Sequence, residues 1–257
     1  MLETFLVWAF VGFLAQLIDG ALGMAYGVSS TTALVSIGVY PALASASVHT
    51  AEIFTTLISG SAHLKFGNVE RNMALHLAIP GIIGGITGAY VCTSVSGTPL
   101  SAIVGFTLLA MGFIILHKFA FKDTSHLQAK RLSSKKLVPL GYAAAFTDAL
   151  GGGGWGPIAT TTLVSNNVKP SKAIGSVNLA EFFVTTAESI TFLIFIGPEN
   201  FNWLIVLGLL AGGIVCAPIA AWLCKKLPQK TLGILVGGTV IILSVRMILK
   251  FAMHTLE

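Results

Sequence analysis

Apolar residues run through most of this chain in stretches long enough to cross a membrane, separated by short polar breaks. The pattern predicts helices at 5–18, 28–40, 42–64, 74–92, 99–117, 137–147, 155–168, 171–196, 203–223 and 231–250. The longest tract between them, 121–136, has 16 residues and is too short for a soluble domain. We therefore predict an all-α polytopic membrane protein.

The composition excludes the common soluble classes. Of 257 residues, 54% are hydrophobic and 10% are charged, and the mean hydropathy is +0.86, whereas a soluble domain carries about a quarter charged residues. Three widely spaced cysteines offer neither a disulfide framework nor metal-ligand spacing. We expect no cofactor and no bound metal. The net charge of +5 is explained by lysines and arginines in loops, so nucleic acid is not an expected partner.

The chain contains an internal repeat. At an offset of 129 residues, positions 19–56 match 148–185 without a gap, with 17 identities in 38 positions. Each copy is predicted to have two short helices around a glycine-rich break, followed by three longer helices. We therefore divide the chain into a first repeat (1–120), a basic linker (121–136) and a second repeat (137–257).

The distribution of basic residues predicts the orientation of the repeats. The linker holds five lysines and arginines, which places it in the cytoplasm, and 13 of the 15 lysines and arginines of the chain then lie on that side. Each repeat makes a net odd number of crossings, so the two repeats have inverted topology and both termini lie outside the cell membrane. Inverted repeats are typical of secondary transporters that work by alternating access. The helix predicted at 137–147 would rise about 16 Å, half the hydrocarbon core, and would place its break near the midplane.

The two breaks, 19–27 and 148–156, are the first candidate site. Each is followed by a helix predicted to begin near Val28 or Pro157, whose N-terminal N–H groups favour an anion. The alternative is that the glycines only allow close helix packing and that the hydroxyls bond to backbone carbonyls. The residues predicted here to bind substrate are Gly23, Tyr26, Gly27, Ser29, Ser30, Thr31, Gly152, Gly153, Gly154, Trp155, Gly156, Thr160 and Thr161.

A polar stripe on the long helix after each break is the second candidate site. Spacings of three and four place the members of each stripe on one helix face. The stripes are His49, Glu52, Thr56, Ser59 and His63 in the first copy, and Asn178, Glu181, Thr185 and Glu188 in the second. We assign His49 and Asn178 to substrate binding. Membrane carboxylates usually face a cavity or a partner, so Glu52, Glu181 and Glu188 are predicted proton-coupling sites.

For each group of these polar residues, a functional role and a structural role both stay open. Asp19 and Asp148, which begin the breaks, either couple transport to protons or organise the site by capping the helices that follow. The two stripes either line a pathway or form hydrogen bonds that hold the two repeats together.

The breaks and the elements that follow them resemble the sulfite exporter TauE/SafE family, also called the 4-toluene sulfonate uptake permease family. The resemblance rests on 148–157, 160–162 and 170–181, mirrored by 19–32 and 41–52, and covers nearly the whole chain. It implies a secondary-active permease, here taken as an exporter, of small sulfur-containing anions such as sulfite, sulfoacetate or other organosulfonates, coupled to an ion gradient. A small anion and the lipid bilayer are the expected partners, and a homodimer stays open.

The acidic residues leave one other transport function open. Glu52, Glu181, Glu188 and His49 taken alone would suit a carboxylate-lined cation or metal-ion carrier. An intramembrane enzyme is not expected, because neither break contains the Gly-x-Gly-Asp motif of an aspartyl protease.

Overall fold

A computed structural model of the chain describes residues 2–94, 98–121, 133–166, 168–224 and single positions between 234 and 252. These residues form helices and turns, without a strand among them. The helices are α1 (Leu2–Leu22), α2 (Tyr26–Ser36), α3 (Pro41–Lys65), α4 (Arg71–Ser94), α5 (Thr98–Phe121), α6 (Ser134–Gly151), α7 (Trp155–Ser165), α8 (Pro170–Ile196) and α9 (Trp203–Leu223). Four of them, α1, α4, α8 and α9, are long and apolar enough to cross a membrane. The predicted all-α class is confirmed for the described residues, and the four apolar helices are consistent with a polytopic membrane protein.

The predicted helix positions agree with the structure in the second half of each repeat. Helix α9 coincides with the prediction. Helices α3, α4 and α5 extend it by one to four residues at each end, and α8 begins one residue earlier than predicted and ends as predicted. The described positions between 234 and 252 are helical, within or just beyond the predicted 231–250 helix. Most of the predicted basic linker, 122–132, lies outside the described residues.

The lengths predicted for the helices that precede the breaks are wrong. The 137–147 helix is part of α6, which has 18 residues, and the 5–18 helix is part of α1, which has 21. They rise about 27 and 31 Å, whereas α2 and α7, with 11 residues each, rise about 16 Å. A short helix therefore follows each break, as predicted, but the helix that precedes the break is long. Both predicted helices end one residue before an aspartate, whereas α1 and α6 continue past Asp19 and Asp148.

Each break is only three residues long, 23–25 in the first repeat and 152–154 in the second. Both begin with a glycine in the left-handed region, Gly23 at φ 67° and Gly152 at φ 68°. The N–H groups of these glycines bond to the carbonyls of Asp19 and Asp148, which closes the last turn of α1 and α6. A residue with a Cβ is disfavoured at such a φ, which explains why both copies have glycine there.

The two repeats pack in equivalent ways. Helix α1 lies against α9 and its repeat equivalent α6 lies against α4, while α3 and α8 pack against each other at the centre. Glycines bring the outer pairs close together. A Cβ at Gly88 of α4 would lie 2.5 Å from the Phe146 carbonyl oxygen of α6. Close backbone approach at small residues is the usual basis of helix association in membranes.

The distribution of apolar and polar side chains suits a lipid environment, with apolar side chains outside and polar ones inside. Large apolar side chains such as Phe10, Ile79 and Ile194 point outward and are more than 60% exposed. The polar stripes of α3 and α8 are buried instead, with His49, Ser59 and Glu188 at 0% exposure. Because lipid cannot hydrogen-bond, these polar groups must find partners or a cavity inside the protein.

Candidate functional site

The two breaks contact each other at the centre of the molecule. Thr31 of α2 donates a hydrogen bond to the Gly152 carbonyl at 2.7 Å, and Thr160 of α7 donates to the Gly23 carbonyl at 2.6 Å. These two bonds join repeat-equivalent residues, so each short helix is tied to the break of the other repeat. At Gly27 an added Cβ would lie 2.9 Å from the Gly152 carbonyl oxygen. The close contact explains why small residues are required here.

The two aspartates cap the short helices. One carboxylate oxygen of Asp148, Oδ1, accepts hydrogen bonds from the N–H groups of Gly154 at 2.6 Å and Trp155 at 3.0 Å. Asp19 accepts a hydrogen bond from the N–H of Tyr26, the repeat equivalent of Trp155. The second oxygen of each aspartate, Oδ2, is buried without a hydrogen bond. In this conformation the carboxylates therefore accept hydrogen bonds from N–H groups that were predicted to bind an anion.

A small cavity lies where the breaks cross. Its volume of about 10 Å³ is room for about one water molecule. The cavity is lined by residues from both repeats: Asp19, Ala25, Tyr26, Gly27, Val28, Glu52, Asp148, Gly153, Gly156, Pro157 and Glu181. Four of these carry carboxyl groups, and the described lysines and arginines do not contribute to the lining.

The aromatic residue that begins each short helix is hydrogen-bonded to a neighbouring helix. The Tyr26 hydroxyl donates to the Leu209 carbonyl of α9 at 3.1 Å, and the Trp155 indole N–H donates to the Val177 carbonyl of α8 at 3.2 Å. Tyr26 also lines the cavity, whereas Trp155 is not among the lining residues.

The hydroxyls predicted to bind substrate have different surroundings. Thr31 and Thr160 bind the opposite break, as described above, and Thr161 donates to the Pro157 carbonyl of its own helix. Ser30 is buried with its hydroxyl unpartnered, and Ser29 is partly exposed. None of the five lines the cavity in this conformation.

The two polar stripes face each other across the α3–α8 contact. His49 Nε2 of α3 lies 3.1 Å from Glu188 Oε2 of α8. Ser59 of α3 donates a hydrogen bond to Asn178 Oδ1 of α8 at 2.6 Å. Glu52 and Glu181 reach the cavity, while the hydrogen bond between Ser59 and Asn178 joins α3 to α8.

His49 is at the centre of an acidic cluster. Besides Glu188, its Nε2 lies 3.3 Å from Asp148 Oδ2 and 4.0 Å from Glu52 Oε2. Its other ring nitrogen, Nδ1, lies 2.7 Å from the Ser45 carbonyl oxygen. The ligand atoms of His49, Asp148 and Glu188 lie within 4.8 Å of one another, close enough to hold a metal ion.

The other histidine of the α3 stripe has a different environment. His63 Nε2 lies 3.2 Å from the Gly20 carbonyl oxygen, and its Nδ1 lies 3.1 Å from the Asn68 side-chain amide. With a donor facing one nitrogen and an acceptor facing the other, neutral His63 has both partners satisfied. His63 therefore has a structural role: it joins α3 to α1 and to the turn that follows α3.

Three features of the site were not found from the sequence. Ala25 has φ 97°, a conformation that a residue with a side chain rarely adopts. Ser45 orients His49 through its carbonyl and donates its hydroxyl to the Ala149 carbonyl at 3.0 Å. Gln16 is fully buried with both side-chain polar atoms unpartnered. Gln16 could have been noticed as a polar residue inside an apolar stretch of the sequence. The φ of Ala25 could not have been predicted, because alanine is not a residue type that favours a positive φ.

Known proteins are similar to this chain along nearly its whole length. A family model described as sulfite exporter TauE/SafE matches residues 8–247. A relative from Bacillus subtilis (strain 168), described as "Probable membrane transporter protein YtnM", is 45% identical over 252 residues, which is 97% of this chain and 84% of the relative. The matched region includes both breaks and both stripes, and the resemblance noted in the sequence is confirmed.

Proposed function

Because the chain belongs to the sulfite exporter TauE/SafE family and is a membrane transporter, not an enzyme, we propose that it is a secondary-active exporter of small sulfur-containing anions. Sulfite, sulfoacetate and other organosulfonates are the proposed substrates. We further propose that transport is coupled to protons and proceeds by alternating access of two inverted repeats in the cell membrane.

The observation that carries this proposal is the cavity between the crossed breaks. Repeat-equivalent pairs line it, Asp19 with Asp148 and Glu52 with Glu181. A site at the interface of two repeats, next to interrupted helices, is the usual location of the substrate in transporters with inverted repeats. The half-length helices α2 and α7 support a position of this cavity inside the bilayer.

The small volume of the cavity supports alternating access. A sulfonate is much larger than the single water that fits in about 10 Å³, so it can enter only when the surrounding helices separate. The reciprocal bonds of Thr31 and Thr160 tie the repeats together in this closed form. Opening the cavity toward one side and then the other would exchange the roles of the two repeats.

The charges around the cavity support proton coupling. Ionised carboxylates would repel an anion strongly in a region that excludes water. An anion is accepted much more readily when one or more of these carboxyl groups carries a proton. The anion and the proton therefore bind together, and net flux is outward when the outward gradient of the anion exceeds the opposing gradient of the proton.

Transport in proteoliposomes tests the proposal. Purified protein should move radiolabelled sulfite and sulfoacetate, and a pH gradient should alter the initial rates. Glu52→Gln and Glu181→Gln should remove the pH dependence without unfolding the protein. Glu199→Gln, at an exposed position in the turn before α9, is the matched control and should behave like the original chain. Unchanged pH dependence in both cavity variants would contradict the proposed coupling.

Cation transport is a second candidate function. The observation that favours it is the triangle of His49, Asp148 and Glu188, whose ligand atoms lie within 4.8 Å of one another. Carboxylate oxygens and an imidazole nitrogen are common ligands of divalent metals. Vesicles that transport Mn²⁺ or Zn²⁺ but neither sulfite nor a sulfonate would favour this function over anion export.

A further inference from the structure

The packing of the helices does not follow the division of the chain into repeats. Helix α4 belongs to the first repeat by sequence but packs against α6 and α8 of the second, and α9 belongs to the second repeat but packs against α1 and α3 of the first. The short helices stay with their own repeats, α2 against α1 and α3, and α7 against α6 and α8. Two groups result, which we name the α1 unit (α1, α2, α3 and α9) and the α6 unit (α4, α6, α7 and α8). Helix α5 contacts both groups and is assigned to neither.

One buried apolar cluster lies entirely within the α6 unit. Its members come from all four helices of the unit, for example Leu77 of α4, Ala145 of α6, Leu163 of α7 and Val177 of α8. The other cluster includes side chains from all four helices of the α1 unit and extends to a few residues of the remaining helices. Closely packed side chains resist relative movement. Apolar packing therefore holds α4 in the α6 unit, although the chain connects it directly to α3.

Glycines fix the exchanged helices within their units. A Cβ at Gly12 of α1 would overlap the Leu209 carbonyl of α9, and a Cβ at Gly141 of α6 would overlap the Leu77 carbonyl of α4. The two contacts are equivalent, because an offset of 129 residues relates the glycines and one of 132 relates the leucines. Helices that touch at the backbone have no flexible side chains between them to absorb a displacement. Helix α9 is therefore fixed to α1, and α4 is fixed to α6.

The boundary between the two units is rich in polar contacts, in contrast to their cores. Across it run the bonds of Thr31 and Thr160 to the opposite breaks, the bond between Ser59 and Asn178, and a 3.0 Å bond from Ser45 of α3 to a carbonyl of α6. Polar groups can exchange such partners for water when an interface opens, and interfaces between bodies that move are more polar than cores. Separation along this boundary therefore exposes less apolar surface than separation of either unit.

The chain passes directly from one unit to the other at two short turns, 66–70 between α3 and α4, and 197–202 between α8 and α9. Each turn has a glycine with a positive φ just after its first helix, Gly67 at 69° and Gly197 at 85°. Lys172 of α8 donates hydrogen bonds to the carbonyls of Gly67 and Val69 at 2.8 and 3.1 Å, which attaches the first turn to the α6 unit. A few residues at the ends of helices are the usual hinges of such movements.

We propose that the rigid bodies of the transport cycle are the α1 unit and the α6 unit, which have exchanged α4 and α9, and not the two sequence repeats. The two units rotate against each other about the turns 66–70 and 197–202. Each unit keeps the break and the short helix of one repeat, so the two units are still equivalent copies. The composition of the units follows from the packing, and their part in transport rests on the proposed function.

Distances between spin labels test the composition of the units. Lys65 ends α3 in the α1 unit and Arg71 begins α4 in the α6 unit, yet both belong to the first repeat and both are exposed. In a chain whose three native cysteines are replaced by alanine, Lys65→Cys and Arg71→Cys are each combined with Lys136→Cys of α6 and labelled. In proteoliposomes, in acidic and alkaline buffer with and without 4-toluenesulfonate, the Lys65–Lys136 distance should shift or split into two populations. The Arg71–Lys136 distance is the matched control and should stay constant.

Two results of this measurement would overturn the proposal. If the sequence repeats moved as bodies, both distances would change together, because Lys65 and Arg71 lie in the same repeat. A Lys65–Lys136 distance that stays fixed under every condition would equally contradict the movement of the units.

A cross-link between the repeats tests the same division by transport. Tyr90 of α4 and Phe195 of α8 belong to different repeats but to one unit, and their exposed rings have centroids 5.2 Å apart. After Tyr90→Cys and Phe195→Cys are joined by a bifunctional thiol reagent, the sulfonate transport rate should equal that of the unreacted double variant. Each single variant treated with the reagent is the control. Loss of transport on bridging, with recovery when a reducible bridge is cleaved, would overturn the proposal. Failure of the original protein to move sulfite or any sulfonate, while the Lys65–Lys136 distance alone changes, would overturn the proposed function and leave the units in place.

Discussion

The hydroxyl of Thr31 in the first repeat donates a hydrogen bond to the carbonyl of Gly152 in the second, at 2.7 Å. The Thr160 hydroxyl makes the same bond to Gly23 in the opposite direction, at 2.6 Å. Each bond joins the short helix of one repeat to the break of the other. The two breaks are therefore parts of one structural unit at the centre of the molecule.

Removal of either hydroxyl should destabilise this unit. Thr31→Val and Thr160→Val keep the side-chain shape but leave a buried carbonyl unpaired, which costs about 1–3 kcal/mol. We expect each variant to lower the melting temperature in detergent, and by similar amounts because the two bonds are equivalent. The control is Thr50→Val, because Thr50 donates to the Ala46 carbonyl within its own helix. A loss of stability in Thr50→Val as large as in the other two would contradict this account.

Two substitutions of Asp148 should separate its structural and electrostatic roles. Asp148→Ala leaves the buried N–H groups of Gly154 and Trp155 without their acceptor, and we expect a loss of about 1–3 kcal/mol in the free energy of unfolding. Asp148→Asn keeps an acceptor oxygen and should be more stable than Asp148→Ala, but it removes a carboxylate from His49. We expect its accumulation of a sulfonate against a pH gradient to fall. Equal melting temperatures for the two variants would contradict the capping role.

A glycine of α4 provides an indirect test of the position of Glu188. An added Cβ at Gly85 would lie 2.7 Å from Glu188 Cγ and 2.8 Å from Oε1, so Gly85→Ala must displace this side chain. We expect weaker proton coupling, measured as sulfonate accumulation per pH unit, with the chain still folded. Gly238→Ala is a control, because its Cβ would meet no atom within 4 Å. Unaltered accumulation by Gly85→Ala would indicate that Glu188 does not need its present position.

Cysteine labelling should test the orientation inferred from charge. In a chain whose three buried cysteines, Cys92, Cys216 and Cys224, are replaced by alanine, we place single cysteines at exposed sites. An impermeant reagent added outside the cell should label Glu199→Cys and should not label Lys135→Cys or Lys169→Cys. A tag at either terminus should be accessible from outside. Termini on opposite faces would contradict the inverted arrangement of the repeats.

The membrane class and the repeat could be predicted from the sequence. Bilayer thickness requires apolar stretches of a certain length, so α4, α8 and α9 are visible in the residue pattern. The identities at an offset of 129 residues revealed the duplication. The 3–4 spacing also placed His49, Glu52 and Ser59 on one face of α3, since helix geometry alone determines which residues share a face.

The lengths and contacts around the breaks could not be predicted in this way. Asp148 was placed after the end of its helix, whereas it lies inside the last turns of α6 and turns toward the start of α7. A carboxylate is tolerated in a buried helix when N–H groups beyond the end of that helix donate hydrogen bonds to it. The sequence does not show where those N–H groups lie. The same reason applies to the contacts of Thr31 and Thr160 with the opposite break, which the sequence did not reveal.

By itself, then, the sequence determined the helical membrane class, the two copies and the polar face of each central helix, because these depend on local spacing and on bilayer thickness. Only the tertiary structure decided which polar residues meet. His49 and Glu188 are 139 positions apart, and their contact depends on how α3 packs against α8. Helix packing is set by the summed contacts of many side chains, including close approaches at glycines, and no local pattern in the sequence contains that sum.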